Sequence, residues 1–501
     1  MGLRSFTLVD VIRHNAAIFP NRTAFVFGDQ RISHADYLIR VGRLAAALSE
    51  LGIAHGDRIV VIADNCPEFV DLYGAAAWLG AVLVPINWRL SAGEIAYIVA
   101  DAAPKLVISD TTHHAVFLTE RPEFAGVAHW IGIGVAAAPF VALDDCLSCA
   151  TAAPPPHDGD GALVMIHTAA VGGRPRGALV SQSGLLANAT QAIHGWSVRE
   201  GDVSYAPLPL FHIAGLNLLL TCLCAGAASV VTPRFDAQEA VKLISTERAT
   251  LFVEFAPMLG LLLDAAGDGR SLASLRAVSG LDTPETIARF EATCPDACFY
   301  AGFGQTETSG FVTMSPFRDR PGSAGRPVLN ASIAVVDEGD RPVPLGETGE
   351  IVVRGPGVFE GYWNCPDDTA ATFRNGWHHT GDNGALDADG YLWYRGRSAA
   401  KELIKPGGEN VYPAEVEAAL KAHAAVAEAV VFGVPDKEWG EAIKAVCILH
   451  AGSVATTEEI SAFVAGRIAR FKRPKHLVLT SDLPRLDDGR IDRIKAKALF
   501  A

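Results

Sequence analysis

The segment His167-Thr168-Ala169-Ala170-Val171-Gly172-Gly173-Arg174-Pro175-Arg176-Gly177 lies between the apolar runs 162–166 and 178–180. Gly172, Gly173 and Gly177 let backbone N–H groups close around an anion, while Arg174 and Arg176 bring the charge that phosphate oxygens need. The same composition also suits a glycine-rich hairpin that exposes two arginines. A second candidate is His212, held between Phe211 and Ile213. A histidine in an apolar run is either a hydrogen-bonded core residue or a group that faces a ligand.

Other potential chemistry is limited by charge and spacing. Lys and Arg total 42 against 56 Asp and Glu, a formal charge of −14. Bulk electrostatic attraction to nucleic acid or to an anionic membrane is therefore excluded, and an anionic ligand needs a local cationic site. On that background the basic run Arg470-Phe471-Lys472-Arg473-Pro474-Lys475 reads as a solvated edge rather than a nucleic-acid surface. The nine cysteines are odd in number and scattered, as expected for free thiols in a reducing compartment. Cys146/Cys149 and Cys294/Cys298 have no histidine at ligand spacing, so zinc is not expected. The start Met1 to Phe6 has no apolar signal core, and Phe6 stands where a myristoylation signal needs Ser or Thr, so the expected location is the cytoplasm.

The elements that must position these residues follow from hydrophobic rhythm. A length of 501 residues, at about 150 residues per domain, implies two or three cores. Strand-like runs at 24–27, 58–63, 82–85 and 106–109 alternate with helical patterns at 33–51, 66–79 and 91–102, the signature of a parallel sheet covered on both faces. The rhythm returns over 162–303. Residues 332–336, 349–354 and 391–394 read as strands between Gly/Pro/Asp turns, an antiparallel sheet or small barrel. After residue 396 an α+β pattern has helices at 413–423 and 457–470 around a strand at 427–432. The stretch 150–160, with three consecutive prolines, reads as a solvated linker. The uncharged segment 214–231 approaches the length of a membrane span, but Asn217, Thr221, Ser229 and two glycines favour a buried helix turning through Gly226 into a short strand.

The loop and His212 acquire sharper meaning from further segments in order: Pro209-Leu210-Phe211-His212, Ser279-Gly280-Leu281-Asp282, Phe303-Gly304-Gln305-Thr306-Glu307, Gly376-Trp377-His378-His379-Thr380-Gly381-Asp382, Gly396-Arg397, the run from Lys405-Pro406-Gly407-Gly408-Glu409 to Glu417, and Pro484 to Arg493. Together they resemble the AMP-forming acyl-CoA synthetases of the acyl-adenylate-forming superfamily. The resemblance implies an α/β fold with a large N-terminal domain (1–397) of two αβ-layered sheets and a small distorted β-barrel, and a small mobile C-terminal α+β domain (398–501). It implies ATP-dependent activation of a small-molecule monocarboxylic acid, fatty or aryl, followed by transfer to coenzyme A. Two other readings stay open: an adenylation-impaired binding homologue, and an enzyme that loads a carrier-protein thiol. A homodimer is compatible with the resemblance.

By the same resemblance, Thr168, Gly172, Gly173, Arg174, Arg176 and Gly177 cradle the ATP phosphates. Glu307 binds Mg2+, and Thr306 bonds the α-phosphate. Ser279, Gly280, Leu281 and Asp282 wall the adenine site, with Phe303 stacking on the base beside Gly304 and Gln305. Asp382 accepts the ribose hydroxyls, Arg397 grips the ribose near the hinge, His212 stands by the acyl group, and Gly407 and Gly408 approach the pantetheine. The chain departs from the pattern at two places. The loop has lost hydroxyls at Ala169 to Val171, and Arg490 stands where the family has its adenylation lysine. Arginine retains charge there but not the compact ammonium.

Overall fold

The computed structural model of the chain describes all residues except 1–5, 120, 150–151, 158, 169–173, 398–402, 407–408, 410, 437–438 and 487–488. Two large mixed sheets dominate. In the first, spatial order runs Gly361–Tyr362, Arg176–Ser181, Ala162–Thr168, Val82–Pro85, Arg58–Ile62, Leu106–Asp110, His129–Ile133, Val141–Ala142. Its centre is parallel, with Ile59 opposite both Leu83 and Leu106. Val60, Val84 and Val107 are fully buried, as continuous β-branched runs covered on both faces require.

The second sheet runs Arg326–Pro327, Gly310–Pro316, Cys298–Gln305, Ala277–Leu281, Leu251–Phe255, Val203–Ala206, Ala228–Val231, Thr23–Phe27, Gln30–Ser33. The first strand expected from the sequence therefore joins this sheet, parallel to Ala228–Val231, and not the sheet of its neighbours in sequence. Between the sheets lie the helices Pro67–Leu79 and Ile213–Ala225, apolar on nearly every side and buried. Gly80 and Gly226, at φ 67 and 68, end both helices in the left-handed conformation that residues with a Cβ resist. Buried polar bonds join the layers: Tyr73 donates to the Leu210 carbonyl at 2.6 Å and Asn65 to that of Leu208 at 2.9 Å.

The expected barrel is a five-stranded antiparallel sheet, Ser332–Val336, Gly349–Arg354, Trp377–Leu386, Phe373–Arg374, with Leu392–Arg397 paired to Trp377–Leu386. The strand Trp377–Leu386 was not foreseen, because its buried His378, His379, Thr380 and Asp382 hide the apolar alternation. The C-terminal part builds its own core from Val426–Asp436, Gly440–Leu449 and His476–Leu479 with the helices Pro413–Lys421 and Thr457–Ala465. Its first strand is longer than expected and its second helix shorter, ending at Gly466.

Two sequence readings are corrected. The 150–160 stretch is not a free linker: Trp78 Nε1 donates to the Pro154 carbonyl at 2.8 Å, and His157 stacks on His55 at 4.2 Å. Nor is Lys472 solvated. It is 4% exposed, with its ammonium between Glu94, at 2.5 Å, and Glu415, because a buried cation persists only where carboxylates pair with it. No helix among the described residues is long and apolar enough to cross a membrane.

Candidate active site

The antiparallel hairpin Ala162–Thr168/Arg176–Ser181 sets Thr168 opposite Arg176, so the ends of the glycine-bearing loop are fixed although residues 169–173, with Gly172 and Gly173, lie outside the described residues. Thr168 donates to Glu307 Oε1 at 2.8 Å, and Tyr362 donates to the same oxygen at 3.0 Å. Arg176 lies 3.9 Å above the Tyr362 ring and pairs with Asp368 at 3.0 Å. Burial opposes ionisation of Glu307, but nearby His378 and the hydroxyls of Thr168 and Tyr362 outweigh it, so its carboxyl titrates below its ordinary range. An ionised carboxylate with hard oxygen donors fits Mg2+, which typically takes one or two carboxylates and completes its shell with water and phosphate oxygens.

Across the cavity, register places Asp382 opposite Arg397, 2.9 Å from its Nε. Tyr394 donates to Asp382 Oδ1 at 3.0 Å, and Gln305 donates to Oδ2. A carboxylate offers about four acceptor positions, so Oδ2 retains capacity for a sugar hydroxyl. Phe303 is almost buried, with its ring 6.0 Å from Tyr394. Gly280 has no room for a side chain: a Cβ would lie 2.0 Å from the Glu254 carbonyl oxygen.

These groups line a single cavity of about 470 Å³. Thr168, Arg176, His212, Gly280, Leu281, Asp282, Phe303, Gly304, Gln305, Thr306, Glu307, Asp382 and Arg397 all face it. Beyond the charged groups it deepens between two helix faces, Asn188, Ala192 and Trp196 on Gln182–Trp196, and Ala214, Asn217, Leu218 and Thr221 on Ile213–Ala225. His212 caps the second helix by accepting from the Ala214 amide at 3.2 Å. Burial, then the cations Lys405 and Arg89, lower its pKa to about 4, so the ring is neutral at pH 7.

Several expected residues stand elsewhere. Ser279 is buried and outside the cavity lining; its hydroxyl donates to the Tyr300 carbonyl of the neighbouring strand at 3.0 Å and is committed there. Arg174 is exposed and outside the cavity lining, and Gly177 packs beneath Met165 in the hairpin. Arg490 is exposed, in the turn closed by the Arg485/Ile491 bridge, and does not line the cavity. Gly407 and Gly408 lie outside the described residues.

Four residues of the C-terminal part line the cavity without having been foreseen: Lys405, Tyr412, Trp439 and Gly440. Arg397 donates to the Tyr412 hydroxyl at 2.9 Å. Lys405 reaches water through the cavity, but crowding by protein atoms and by Arg397 lowers its pKa. Lys405 and Tyr412 belong to a motif visible in the sequence, where a cation beside two glycines is the signal. Trp439 sits on a hairpin and Tyr362 on a two-residue strand, and neither carries a local signal.

The model of the AMP-binding enzyme family matches residues 12–363, and that of the AMP-binding enzyme C-terminal domain matches residues 415–490. The chain is 34% identical to indoleacetate–CoA ligase of Aromatoleum aromaticum, covering 99% of this chain and 98% of that one. A solved chain from Rhodopseudomonas palustris CGA009 is 51% identical over 79% of this chain and 100% of its own, with a TM-score of 0.77. The o-succinylbenzoate CoA synthetase of Bacillus subtilis is 27% identical, with 97% of each chain covered. Its double mutant bound to a product analogue, OSB-NCoA, superposes with a TM-score of 0.87, and its complex with the acyl-adenylate intermediate with 0.71. The chain belongs to the AMP-binding enzyme family and is an AMP-forming acid–CoA ligase.

Proposed function

We propose that this enzyme activates a monocarboxylic acid with an aryl or alkyl body. The observation that carries this reading is that Arg176, Glu307, Asp382 and Arg397 share one cavity with a deeper chamber whose lining between the two helices contains no Lys or Arg among the described residues. A second carboxylate at the far end would be buried without a cation, which costs several kcal/mol (roughly). The relative that acts on indoleacetate supports an aryl acid.

In the first half-reaction the carboxylate oxygen attacks the α-phosphorus of ATP and pyrophosphate leaves. In the second, the CoA sulfur attacks the acyl carbon and AMP leaves. Arg176 and Thr168 hold phosphate oxygens, Asp382 and Arg397 hold the ribose, and Phe303 supports the base. Glu307 would hold Mg2+, which neutralises charge on the phosphates. Neutral His212 borders the acyl group and does not compete for its charge. The superposition difference supports assigning the present arrangement, with Lys405, Tyr412 and Trp439 over the cavity and Arg490 outside it, to thioester formation. Arg490 would enter for adenylation when the C-terminal domain, 398–501, turns about the segment after Arg397. Eight of the nine cysteines are free of disulfides, which supports a reducing cytoplasm.

Carboxylate-dependent exchange of labelled pyrophosphate into ATP over a panel of acids tests the reading, followed by AMP release with and without CoA. Exchange and CoA-dependent release are expected. Exchange without any effect of CoA would point to a carrier-protein thiol, and no exchange to an impaired homologue.

A further inference from the structure

Residues that line the deeper chamber carry buried hydrogen-bonding atoms that the protein itself leaves unmatched. Trp196 Nε1, Asn217 Oδ1 and Thr221 Oγ1 are buried without a hydrogen-bond partner, and all three residues line the cavity. Trp196 is 4% exposed, Asn217 7% and Thr221 0%. Asn217 and Thr221 are one helical turn apart on the same face of Ile213–Ala225, and Trp196 closes the neighbouring helix on the face shared by Asn188 and Ala192. The Asn217 amide nitrogen is committed to the Ser309 carbonyl at 2.6 Å, so its carbonyl oxygen is the atom left to accept.

Unmatched buried polar atoms weaken a fold and are expected where a ligand completes them. The three differ in character: the indole N–H only donates, the amide oxygen only accepts, and the hydroxyl does both. Their common complement is a neutral group that donates and accepts, which is a hydroxyl. The surrounding wall of Ala192, Leu218, Val253, Phe255 and Phe311 is apolar and suits the faces of an aromatic ring. From Ile213 to Thr221 the helix advances roughly 12 Å, room for a ring and a short chain between the cap at His212 and the polar end.

We propose that the acid activated here is an aryl-substituted short-chain acid bearing a ring hydroxyl, and that Trp196, Asn217 and Thr221 select it. The inference rests on the acid–CoA ligase reading of the site.

The test compares kcat/KM in pyrophosphate exchange for 3-(4-hydroxyphenyl)propanoate, 3-(3-hydroxyphenyl)propanoate, 3-phenylpropanoate and octanoate. One hydroxylated acid is expected to exceed 3-phenylpropanoate by at least about tenfold, since a site built around a hydroxyl rejects the analogue without it. Thr221→Val preserves shape and removes the hydroxyl, and Trp196→Phe removes the indole N–H while keeping an aromatic ring. Each is expected to bring that ratio to within about threefold of one, the buried partner atoms no longer being matched. A wild-type ratio near or below one, a preference for octanoate, or an unchanged ratio in both variants overturns the selection and leaves the ligase reading standing on whichever acid exchanges. Absence of exchange with every acid of a broad panel overturns the ligase reading as well. Should both variants fail to fold, the wild-type ratio alone decides.

Discussion

At the scale of single residues, two groups separate charge from geometry. By the resemblance, Arg490 stands where the family has its adenylation lysine, and a planar guanidinium cannot sit as a compact charge between a carboxylate and a phosphate. Arg490→Lys is therefore expected to raise pyrophosphate exchange by about fivefold, a change of roughly 1 kcal/mol in the barrier; a fall would show that another residue supplies the adenylation cation. His212 tests the other side of the site. Its folded-state pKa of about 4 lies below the ordinary 6.5 because of burial first and of Lys405 and Arg89 second. A depressed pKa means that the unfolded chain binds the proton more readily. The group's contribution is complete above pH 6.5 and is lost as pH falls through 4, amounting to roughly 3 kcal/mol. The ring resonance missing from the NMR spectrum of His212→Asn should titrate near pH 4. In Lys405→Met it should rise by less than about one unit, because burial is the larger cause; a rise to 6.5 would make the ammonium the dominant one.

At the scale of elements, the site depends on how closely helices approach the strand Gly310–Pro316. A Cβ on Gly310 would lie 2.1 Å from Asn217 Nδ2 and 2.7 Å from Asn188 Oδ1, and the residue has φ 122. Gly310→Ala is expected to cost at least about 2 kcal/mol in urea unfolding and to weaken acid discrimination by displacing Asn217; wild-type stability would mean that the two helices yield easily. Such elements were partly legible beforehand. Continuous apolar strands, the amphipathic helical runs between them and the terminating Gly226 are local signals, and the ranges they mark agree closely with the observed helices and strands. Sheet membership is not local. Thr23–Phe27 pairs with Ala228–Val231 through contacts two hundred residues away, roughly, which no periodicity records. The strand Trp377–Leu386 escaped detection because its inward positions hold His and Asp, so the residues that make the site obscured the element that carries them. Tyr362 and Trp439 entered the site by tertiary placement alone.

At the scale of the whole molecule, the question is what holds the C-terminal part over the cavity on a chain of net charge −14. The contact is built from ions. Glu409 is bonded by Asn87 at 3.0 Å and by Arg89, while Lys472 joins Glu94 of the helix Ala92–Ala102 to Glu415. Glu94 also accepts from the Ser91 and Ala469 amides, so the cap of one helix doubles as an anchor for the other part. Lys472→Met leaves two buried carboxylates facing each other without their cation, a loss of about 3 kcal/mol or more. Glu94 and Glu415 lie on opposite sides of this contact, so turning the C-terminal part away returns at least one of them to water and relieves the strain. The variant should therefore disfavour the thioester-forming arrangement selectively. CoA-dependent AMP release from preformed acyl-adenylate is expected to fall at least about tenfold, while pyrophosphate exchange stays within about twofold, a split that identifies the ion cluster as a latch for one of two domain positions. Equal losses in both half-reactions would instead make the cluster a general support of the fold, and the arrangement seen here would then need another source of stability.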